Sequence, residues 1–464
     1  MKCVSWLTII LTKANKASSH MKSRLKELND ALDSGAFIQA RHMLNHTLKP
    51  ADTAHLLESS PPREREVLWN LVNPELEGEV LQHLSDEIQA EFVNQMNTEE
   101  LLQATENLDT DHFADILQQL PKTVMQEVLN SLGQQDRERV EQVLSYPEDT
   151  AGGLMNTDVV SIRPDITIDA VLRYLRRHDT MPDMTDNLFV VTRKDRYMGL
   201  LPLTSLLVSD PNTLISDIMD TEREAIPADL DETDVANLFE RNDWVSAPVT
   251  NQEGRLVGRI TIDDVVDVIR EEADHSLMRM AGLDEDEDTF APVVKTTRRR
   301  AVWLGINLLT ALFASMMIGL FQHTIEQVVA LAILMPIVAS MGGVAGSQAL
   351  TLVIRGQALG HVEASNIGYL LNREIIVGAL NGLLWATVVA SIASWWFSDL
   401  TIGFIIAIAM IINLIVAAIF GTSLPVILKA MNIDPALAGG VILTTITDVV
   451  GFCAFLGLAT LFYA

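Results

Sequence analysis

The spacing of apolar residues divides the chain into three regions. Between residues 21 and 145, Leu, Val and Ile recur at intervals of three and four, for example along 66–72 and 125–132, and this spacing predicts amphipathic helices. Residues 147–275 place short β-branched runs between helical stretches, which predicts a mixed α/β region. After Lys295 the chain is almost entirely apolar.

The apolar region contains segments long enough to cross about 30 Å of hydrocarbon as helices of ~20 residues. They are 301–321, 327–354, 375–397, 400–428 and 435–464. Lys and Arg lie before the first segment and in every second connection after it, whereas the connections 322–326 and 398–399 carry none. Because positive residues favour the cytosolic side, we expect five spanning helices, with the N-terminal regions cytosolic and the C-terminus outside.

The helical region contains a weak internal repeat. The pattern Ala-x-Leu-Leu-x-x-x-Pro at 54–61 recurs as Ala-x-Ile-Leu-x-x-x-Pro at 114–121. Prolines at helix starts and a unit of about thirty residues predict stacked helical hairpins, a short right-handed superhelical domain over 25–146. An ordinary helical bundle is the alternative. Residues 1–24 are interpreted as an N-terminal extension, with Met1 or Met21 as the start.

The mixed region contains a clearer repeat of strand and helix signals. Its paired segments are 155–158 with 219–222, 168–177 with 233–241, 188–191 with 247–249, and 198–204 with 257–263. This arrangement resembles a tandem pair of CBS domains, 147–209 and 210–270. The resemblance implies a regulatory module of two small α/β domains, with an adenine nucleotide such as ATP as a candidate ligand in the cleft between them.

The charge of the chain is concentrated before the apolar region. Of 61 acidic and 33 basic residues, only six acidic and seven basic ones lie after residue 294, which leaves residues 1–294 with a net charge of −29. This acidity argues against nucleic acid as a partner because phosphates are repelled. It favours either cations as partners or plain solubility. The two cysteines, Cys3 and Cys453, are too few for a disulfide framework or a thiolate metal site.

Acidic residues crowd the predicted connecting helix, 264–294. Asp264, Asp267 and Glu271 are spaced by three and four residues, so they share one helix face and repel one another. A divalent cation would relieve this repulsion. The alternative is a solvated acidic linker.

One carboxylate, Asp448, lies in the middle of the last apolar segment. An ionised side chain at that depth costs at least ~2.5–3.5 kcal/mol, and the five apolar segments contain no Lys, Arg or His to pair with it. Thr444 and Thr445 are expected on the same helix face, and Gly440 is expected to allow close helix approach. The pattern predicts a pore lining. A protonated, hydrogen-bonded Asp between helices is the alternative.

The second apolar segment contains Pro336 and the glycines Gly342, Gly343 and Gly346. These residues predict a break or kink at membrane depth, where freed backbone carbonyls would line a wet cavity. Tight packing of small residues between helices is the alternative.

Magnesium dehydrates reluctantly and is usually held through its waters by one or two carboxylates, which suits one central Asp per chain. This reasoning leaves Mn²⁺, Co²⁺ and Ca²⁺ open. The order of the four regions, together with the motifs at 434–437, 444–451 and 336–348, is similar to the MgtE family of magnesium channels. The resemblance implies a multidomain membrane protein: an α-helical superhelical N-terminal domain, tandem α/β CBS domains, a connecting plug helix and a five-helix transmembrane domain over 295–464. It also implies that the membrane is the plasma (bacterial inner) membrane.

The resemblance also implies a mechanism and residues for it. Two chains would form one pore lined by the second and fifth spans, with Asp448 holding a hydrated Mg²⁺, and Mg²⁺ bound to the cytosolic domains would close it. Candidate ion or sensor ligands carried over by position are Asp434, Glu79, Asp111, Asp115, Asp231, Asp243, Asp264, Asp267 and Glu272. Val344 and Val441 depart from the Asn and Pro expected there.

Two other functions remain open on the sequence alone. One is a CBS-regulated transporter of another divalent cation such as Mn²⁺ or Co²⁺, or of another substrate, and the other is a membrane-anchored sensor that conducts nothing. No P-loop, zinc-protease motif or nucleophile pattern is recognisable, so we expect no enzyme.

Overall fold

A computed structural model describes residues 36–463 except 107, 178–179, 284–286 and 363–364. The proposed extension 1–24 lies outside the described residues. The chain divides into two compact units. The N-terminal unit runs to Ala273 and includes Asp286–Ala291, and the C-terminal unit consists of Asp274–Glu285 and Pro292–Ala464.

The first part of the N-terminal unit is built from short helices of eight to ten residues. They are α1 Phe37–His46, α2 Pro50–Glu58, α3 Pro62–Trp69, α4 Pro74–Leu81, α5 Asp86–Val93, α6 Thr98–Thr105, α7 Thr110–Gln118, α8 Lys122–Ser131 and α9 Gln134–Val143. From α2 onward a helix begins at every twelfth residue. The expected unit of about thirty residues is therefore wrong. The repeating unit is one short helix with its turn, and the sixty-residue echo spans five such units.

The helices stack as a superhelix because several of them pack on the second helix along the chain, as α2 does on α4, α4 on α6 and α6 on α8. Proline at the first helical position of α2, α3 and α4 fixes where those helices begin. Gly78 of α4 allows a close approach, since a Cβ there would overlap the carbonyl oxygen of Ala104 in α6.

Arg65 is a fully buried cation in this helical domain, with 1% of its surface exposed. Its Nε donates to the carbonyl of Leu57 at 3.0 Å. Its guanidinium pairs with Asp288 at 2.9 Å and with Glu91 at 3.2 Å. Asp288 belongs to the N-terminal unit although it precedes the first membrane helix in sequence. The ion pair therefore ties this segment to the helical domain.

The second part of the N-terminal unit contains two three-stranded sheets, each in sequential strand order. The elements are β1 Ser161–Ile162, α10 Ile168–Leu175, β2 Asn187–Val191, β3 Tyr197–Pro202, α11 Leu203–Val208, β4 Ile226–Pro227, α12 Glu232–Asn242, β5 Ser246–Thr250 and β6 Leu256–Thr261. In each sheet the first strand is parallel and the third antiparallel to the central one. The predicted tandem α/β fold is confirmed.

The two α/β modules contact each other through equivalent positions. Asn187 and Ser246 begin the equivalent strands β2 and β5, and the Asn187 amide donates to the Ser246 hydroxyl at 3.4 Å. The segment before each module also pairs with the other module, through Asn156 with Arg259 and Asp220 with Leu200. Each module therefore contributes one backbone bridge to the last strand of the other module.

The connecting helix, α13, spans Ile262–Met280. The predicted helix over 264–294 is therefore too long. Gly282 follows with a φ of 70°, a left-handed conformation typical of the residue just beyond a helix, and the next helix starts after Pro292. Further acidic residues of the connecting segment, at 284–286, lie outside the described residues.

The C-terminal unit contains five helices of 27 to 31 residues that are long and apolar enough to cross a membrane. They are α14 Val293–Gly319, α16 Ala330–Ala358, α17 Ile367–Phe397, α18 Leu400–Ala430 and α19 Pro435–Tyr463, with a short helix α15 Gln322–Gln327 between the first two. The five predicted spans are confirmed. Helix α18 is the centre of the unit and packs against α16, α17 and α19.

The break expected in the second span does not occur, because α16 runs continuously through Pro336. Pro336 lies inside the helix, where it removes one backbone donor without interrupting the helix. Gly342 and Gly346 meet side chains of α18 and α19, namely Asn413 and Leu443. Tight helix packing, the alternative interpretation, therefore explains these two glycines.

Candidate functional sites in the two units

A cavity of about 830 Å³ lies along the second and fifth membrane helices. Its lining consists of Ala339, Ser340, Gly343, Val344, Ser347, Gln348 and Thr351 of α16 with Thr444 and Asp448 of α19. Asp448 is the one ionisable group of this lining. Hydroxyl and amide oxygens surround it, and these oxygens accept hydrogen bonds from water or contact a cation. We call this cavity the membrane pocket.

The predicted pore residues divide between this pocket and the packing around it. Asp448, Thr444 and Gly343 line the pocket, and so does Val344. The Thr444 hydroxyl donates to the carbonyl of Gly440 at 3.0 Å, so its oxygen lone pairs stay available to a ligand in the pocket.

Thr445, Gly440, Gly342 and Val441 are not among the pocket-lining residues. The Thr445 hydroxyl donates to the Val441 carbonyl of its own helix at 2.7 Å. A Cβ at Gly440 would meet nothing within 4 Å, so the close helix approach expected at Gly440 is absent within the described chain.

Asn413 of α18 is a central polar residue that sequence analysis missed. It is 1% exposed, and its amide donates to the carbonyl of Val338 in α16 at 2.9 Å. Gly342 and Gly451 leave room for it, since a Cβ at Gly451 would lie 2.8 Å from its nitrogen. Asn413 therefore holds both pocket-lining helices. Asn413 is the one amide side chain of α18, a feature of the sequence that was overlooked.

Asp434 precedes α19, where its carboxylate accepts a hydrogen bond from the Ala436 amide at 2.8 Å. It also pairs with Arg279 at 3.4 Å. Arg279 lies in the part of α13 that belongs to the C-terminal unit, and a Cβ at the following Gly282 would overlap Trp303 of α14. The end of the connecting helix thus contacts the membrane helices and neutralises Asp434.

The N-terminal unit contains an acidic cluster, defined here as Asp109, Asp111, His112 and Asp115 of the α7 region with Asp264 of α13. Asp111 is 5% exposed. One ligand atom from each of Asp109, Asp111 and His112 lies within 4.8 Å of the others. Asp111, Asp115 and Asp264 were predicted as sensor ligands, and the structure brings them together. Asp109 and His112 were missed because nothing in the local sequence sets them apart.

The acidic cluster retains protons near neutral pH. Burial, together with Asp111 and Glu148, raises the pKa of Asp115 to about 8. Burial, together with Asp111 and Asp263, raises the pKa of Asp264 to about 7. Burial opposes charge on His112, but Asp111, Asp264 and Asp115 outweigh it and raise its pKa to about 10. When these buried carboxyl groups are ionised they repel one another, and a bound cation would relieve that repulsion.

The other predicted sensor residues fall at three places. Asp231 and Glu272 lie near Glu232, whose pKa is raised to about 7 by burial and neighbouring carboxylates. Glu79 and Asp267 lie near His83. Burial lowers the pKa of His83, although the negative charges of these two residues act to raise it. Asp231 and Asp243 cap opposite ends of α12. They are therefore about 18 Å apart along the helix axis and do not share an ion.

Comparison with known proteins shows which family this chain resembles. The MgtE model, described as a divalent cation transporter, matches residues 335–458, the MgtE intracellular N domain matches 48–149, and the CBS domain matches 151–210 and 215–271. The magnesium transporter MgtE of Thermus thermophilus is 31% identical over 439 residues, covering 94% of this chain and 97% of that protein.

A second relative and a solved structure are also similar to this chain. The magnesium transporter MgtE of Bacillus subtilis is 28% identical over 416 residues, covering 89% of this chain and 92% of that protein. A crystal structure of the cytosolic domain of the Mg²⁺ channel MgtE in complex with ATP is 35% identical, covers 53% of this chain and 99% of that chain, and gives a TM-score of 0.48. With five apolar helices and a relative similar along almost its whole length, this chain is a multi-pass membrane protein that belongs to the MgtE family of divalent cation transporters.

Proposed function

We propose that two copies of this chain form a Mg²⁺-selective channel of the plasma membrane, with the N-terminal domains in the cytosol and the C-terminus outside. The observation that carries this proposal is the membrane pocket, a concave surface built from α16 and α19 around a single carboxylate. An ionised Asp448 facing hydrocarbon would be costly. A second copy placed against this face would close the pocket into a pore.

The pocket suits a hydrated Mg²⁺. Water takes about 30 Å³ per molecule in the liquid, so six waters need roughly 180 Å³, and the cavity of about 830 Å³ accommodates them. One carboxylate with hydroxyl and amide oxygens matches the way Mg²⁺ is held through its waters. The lining contains no His or Cys, the ligands that would favour transition metals.

Removing the carboxylate tests the proposed pore. Asp448→Ala should reduce Mg²⁺ flux into proteoliposomes at least about tenfold, because nothing else in the pocket offsets the charge of the ion. Thr445→Ala is the matched control, one turn away on the same helix but outside the pocket lining, and it should keep its flux. Full flux through the Asp448→Ala protein would refute a pore at this pocket.

Gating belongs to the same proposal. We infer that Mg²⁺ bound by the acidic residues of the cytosolic domains closes the channel, because bridging cations offset the net charge of −29 in residues 1–294. The candidate ligands are Glu79, Asp111, Asp115, Asp231, Asp243, Asp264, Asp267 and Glu272. Ion binding shifts the population toward the compact state only as far as the ion prefers that state.

Neutralising part of this charge tests the gate. A triple variant of Asp264→Asn, Asp267→Asn and Glu272→Gln should need a higher cytosolic Mg²⁺ concentration for half-inhibition in patch recordings. An unchanged concentration would contradict the gating proposal and leave the pore proposal intact. Because a related cytosolic domain binds ATP, we also propose ATP as a ligand of the CBS pair, to be checked by calorimetric titration of the full-length protein.

A further inference from the structure

The acidic cluster contains an imidazole that the proposed magnesium mechanism does not use. His112 Nδ1 and Asp111 Oδ1 are both buried atoms without a hydrogen-bond partner among the described residues. They lie 3.6 Å apart, which is too long for a hydrogen bond but short enough for an ion pair while the imidazole is protonated. A metal ion bound here would take the place of that proton. Because the buried Asp111 oxygen has no hydrogen bond among the described residues, which is costly, the arrangement calls for a ligand.

The geometry of the three side chains fits a metal ion. Ligands about 2.1 Å from a tetrahedral metal lie roughly 3.4 Å from one another, close to the 3.6 Å between His112 Nδ1 and Asp111 Oδ1. Asp109 supplies the third atom within 4.8 Å. Asp109 stands at the N-cap of α7, where its carboxylate makes no capping hydrogen bond and interacts instead with Asn156.

The nitrogen ligand decides the class of metal. Mg²⁺ takes oxygen ligands and gives up its waters reluctantly, whereas imidazole suits several divalent transition metals. The affinity of a mixed nitrogen and oxygen site for these metals rises from Mn²⁺ to Cu²⁺. We propose that Asp109, Asp111 and His112 form a site for a divalent transition-metal ion, which would let the cytosolic domains respond to such an ion as well as to Mg²⁺. The binding site stands on its own geometry, and only its regulatory role rests on the proposed function.

Nitrogen ligation can be measured directly on the full-length protein in detergent. Mn²⁺ bound at this site should give ¹⁴N modulation in a pulsed electron paramagnetic resonance experiment, in the presence of excess Mg²⁺ that fills oxygen-only sites. His112→Asn should abolish the ¹⁴N signal and weaken Mn²⁺ binding about tenfold or more. Asp109→Asn should weaken binding but keep the signal, which guards against an effect of misfolding.

A matched control separates this site from a neighbouring histidine. His83 also lies close to carboxylates, as its interactions with Glu79 and Asp267 show, and His83→Asn should leave the ¹⁴N signal unchanged. A signal lost with His83→Asn instead would overturn the assignment. Absence of any ¹⁴N signal in the wild-type protein would mean that His112 and Asp111 form an ion pair only.

The regulatory role has a separate readout. Mn²⁺ added on the cytosolic side at micromolar concentration, with Mg²⁺ held constant, should reduce Mg²⁺ flux through the wild-type protein and not through the His112→Asn protein. A ¹⁴N signal without any effect on flux would leave the site standing and overturn its regulatory role. A wild-type protein that conducts no Mg²⁺ at all would instead refute the proposed function.

Discussion

Neighbouring residues in this protein can have unrelated roles, and Gly342 with Gly343 is the clearest case. A Cβ at Gly342 would overlap the amide of Asn413, whereas a Cβ at Gly343 would lie 3.9 Å from the nearest atom, a methyl of Thr444 in the membrane pocket. The first glycine is needed for helix packing, and the second faces the pocket.

Alanine at each position separates these roles. Gly342→Ala should lower the free energy of unfolding by about 1–3 kcal/mol, the usual cost of overpacking, which outweighs the 0.5–1 kcal/mol that Ala gains over Gly in a helix. Gly343→Ala should not destabilise the protein, and it should change Mg²⁺ flux because it adds a methyl group to the pocket. Thermal unfolding in detergent measures the first effect. Equal destabilisation by both substitutions would contradict the assignment.

Asn413 offers a second prediction at the scale of single residues. Asn413→Leu loses one hydrogen bond of about 1 kcal/mol but also removes a buried oxygen, Oδ1, that has no partner among the described residues. We therefore expect a change in stability below about 1 kcal/mol. Asn413→Asp removes the donor and buries a carboxylate, at a cost of about 2.5–3.5 kcal/mol. Unfolding of the two variants compared with wild type checks the order, and a more stable Asp variant would refute it.

The sequence made Asp448 visible because a carboxylate in an uncharged segment stands out on its own. His112 did not stand out, and Asn413 showed only as the one amide side chain of an apolar segment. Their roles depend on partners far away in the chain, such as Val338 at 75 positions from Asn413, or on the burial of the Asp111 carboxylate. Neither distance nor burial can be obtained from a local pattern.

Whole elements were more predictable than their boundaries. The five spans and the paired α/β modules follow from hydrophobic length and from a repeat of strand signals, both of which are local. The break expected at Pro336 was wrong, since α16 continues through this residue, and the glycines that follow it serve helix packing instead. The length of the helical repeat was misjudged. A twelve-residue period also produces similar sequence at any multiple of twelve, including the sixty-residue echo.

The close contact of α4 with α6 tests how tightly this superhelix is built. Gly78→Ala places a methyl group on the carbonyl of Ala104, and since backbone cannot rotate away as a side chain can, we expect a loss of about 1–3 kcal/mol of stability. Gly133→Ala is the control, because its Cβ would lie 3.4 Å from the side chain of Asp136. Denaturant unfolding compares the two, and a Gly78→Ala protein as stable as the control would contradict the packing.

The stability of the N-terminal unit should depend on the ion pairs of the buried Arg65. Arg65 is fully buried and pairs with a buried Asp288 and a half-exposed Glu91. Asp288→Asn should cost about 3–5 kcal/mol, because removing one partner of a buried pair leaves an uncompensated charge. Glu91→Gln should cost less than about 1 kcal/mol, as for exposed pairs. Unfolding measured by protease susceptibility of the N-terminal unit checks the difference, and equal losses would refute it.

The acidic cluster makes the stability of the N-terminal unit depend on pH. Folding raises the pKa of Asp115 to about 8 and that of Asp264 to about 7, from 3.8, chiefly by burial. The folded state therefore holds protons that the unfolded state releases, so stability without metal should fall as pH rises from about 4 to 8. His112, whose pKa is raised from 6.5 to about 10, loses its contribution in the same direction as pH rises above 6.5.

Magnesium should reverse this trend, because the ion binds carboxylates that have lost their protons. The stabilisation produced by Mg²⁺ should therefore be larger at pH 8 than at pH 6, where Asp115 and Asp264 are still protonated. Thermal unfolding of the full-length protein with and without Mg²⁺ at the two pH values measures the difference. Neutralising Asp115 and Asp264 together should make the Mg²⁺ effect independent of pH. A Mg²⁺ effect equal at both pH values in the wild-type protein would mean that ions bind elsewhere, and that the repulsion within this cluster does not drive the response to magnesium.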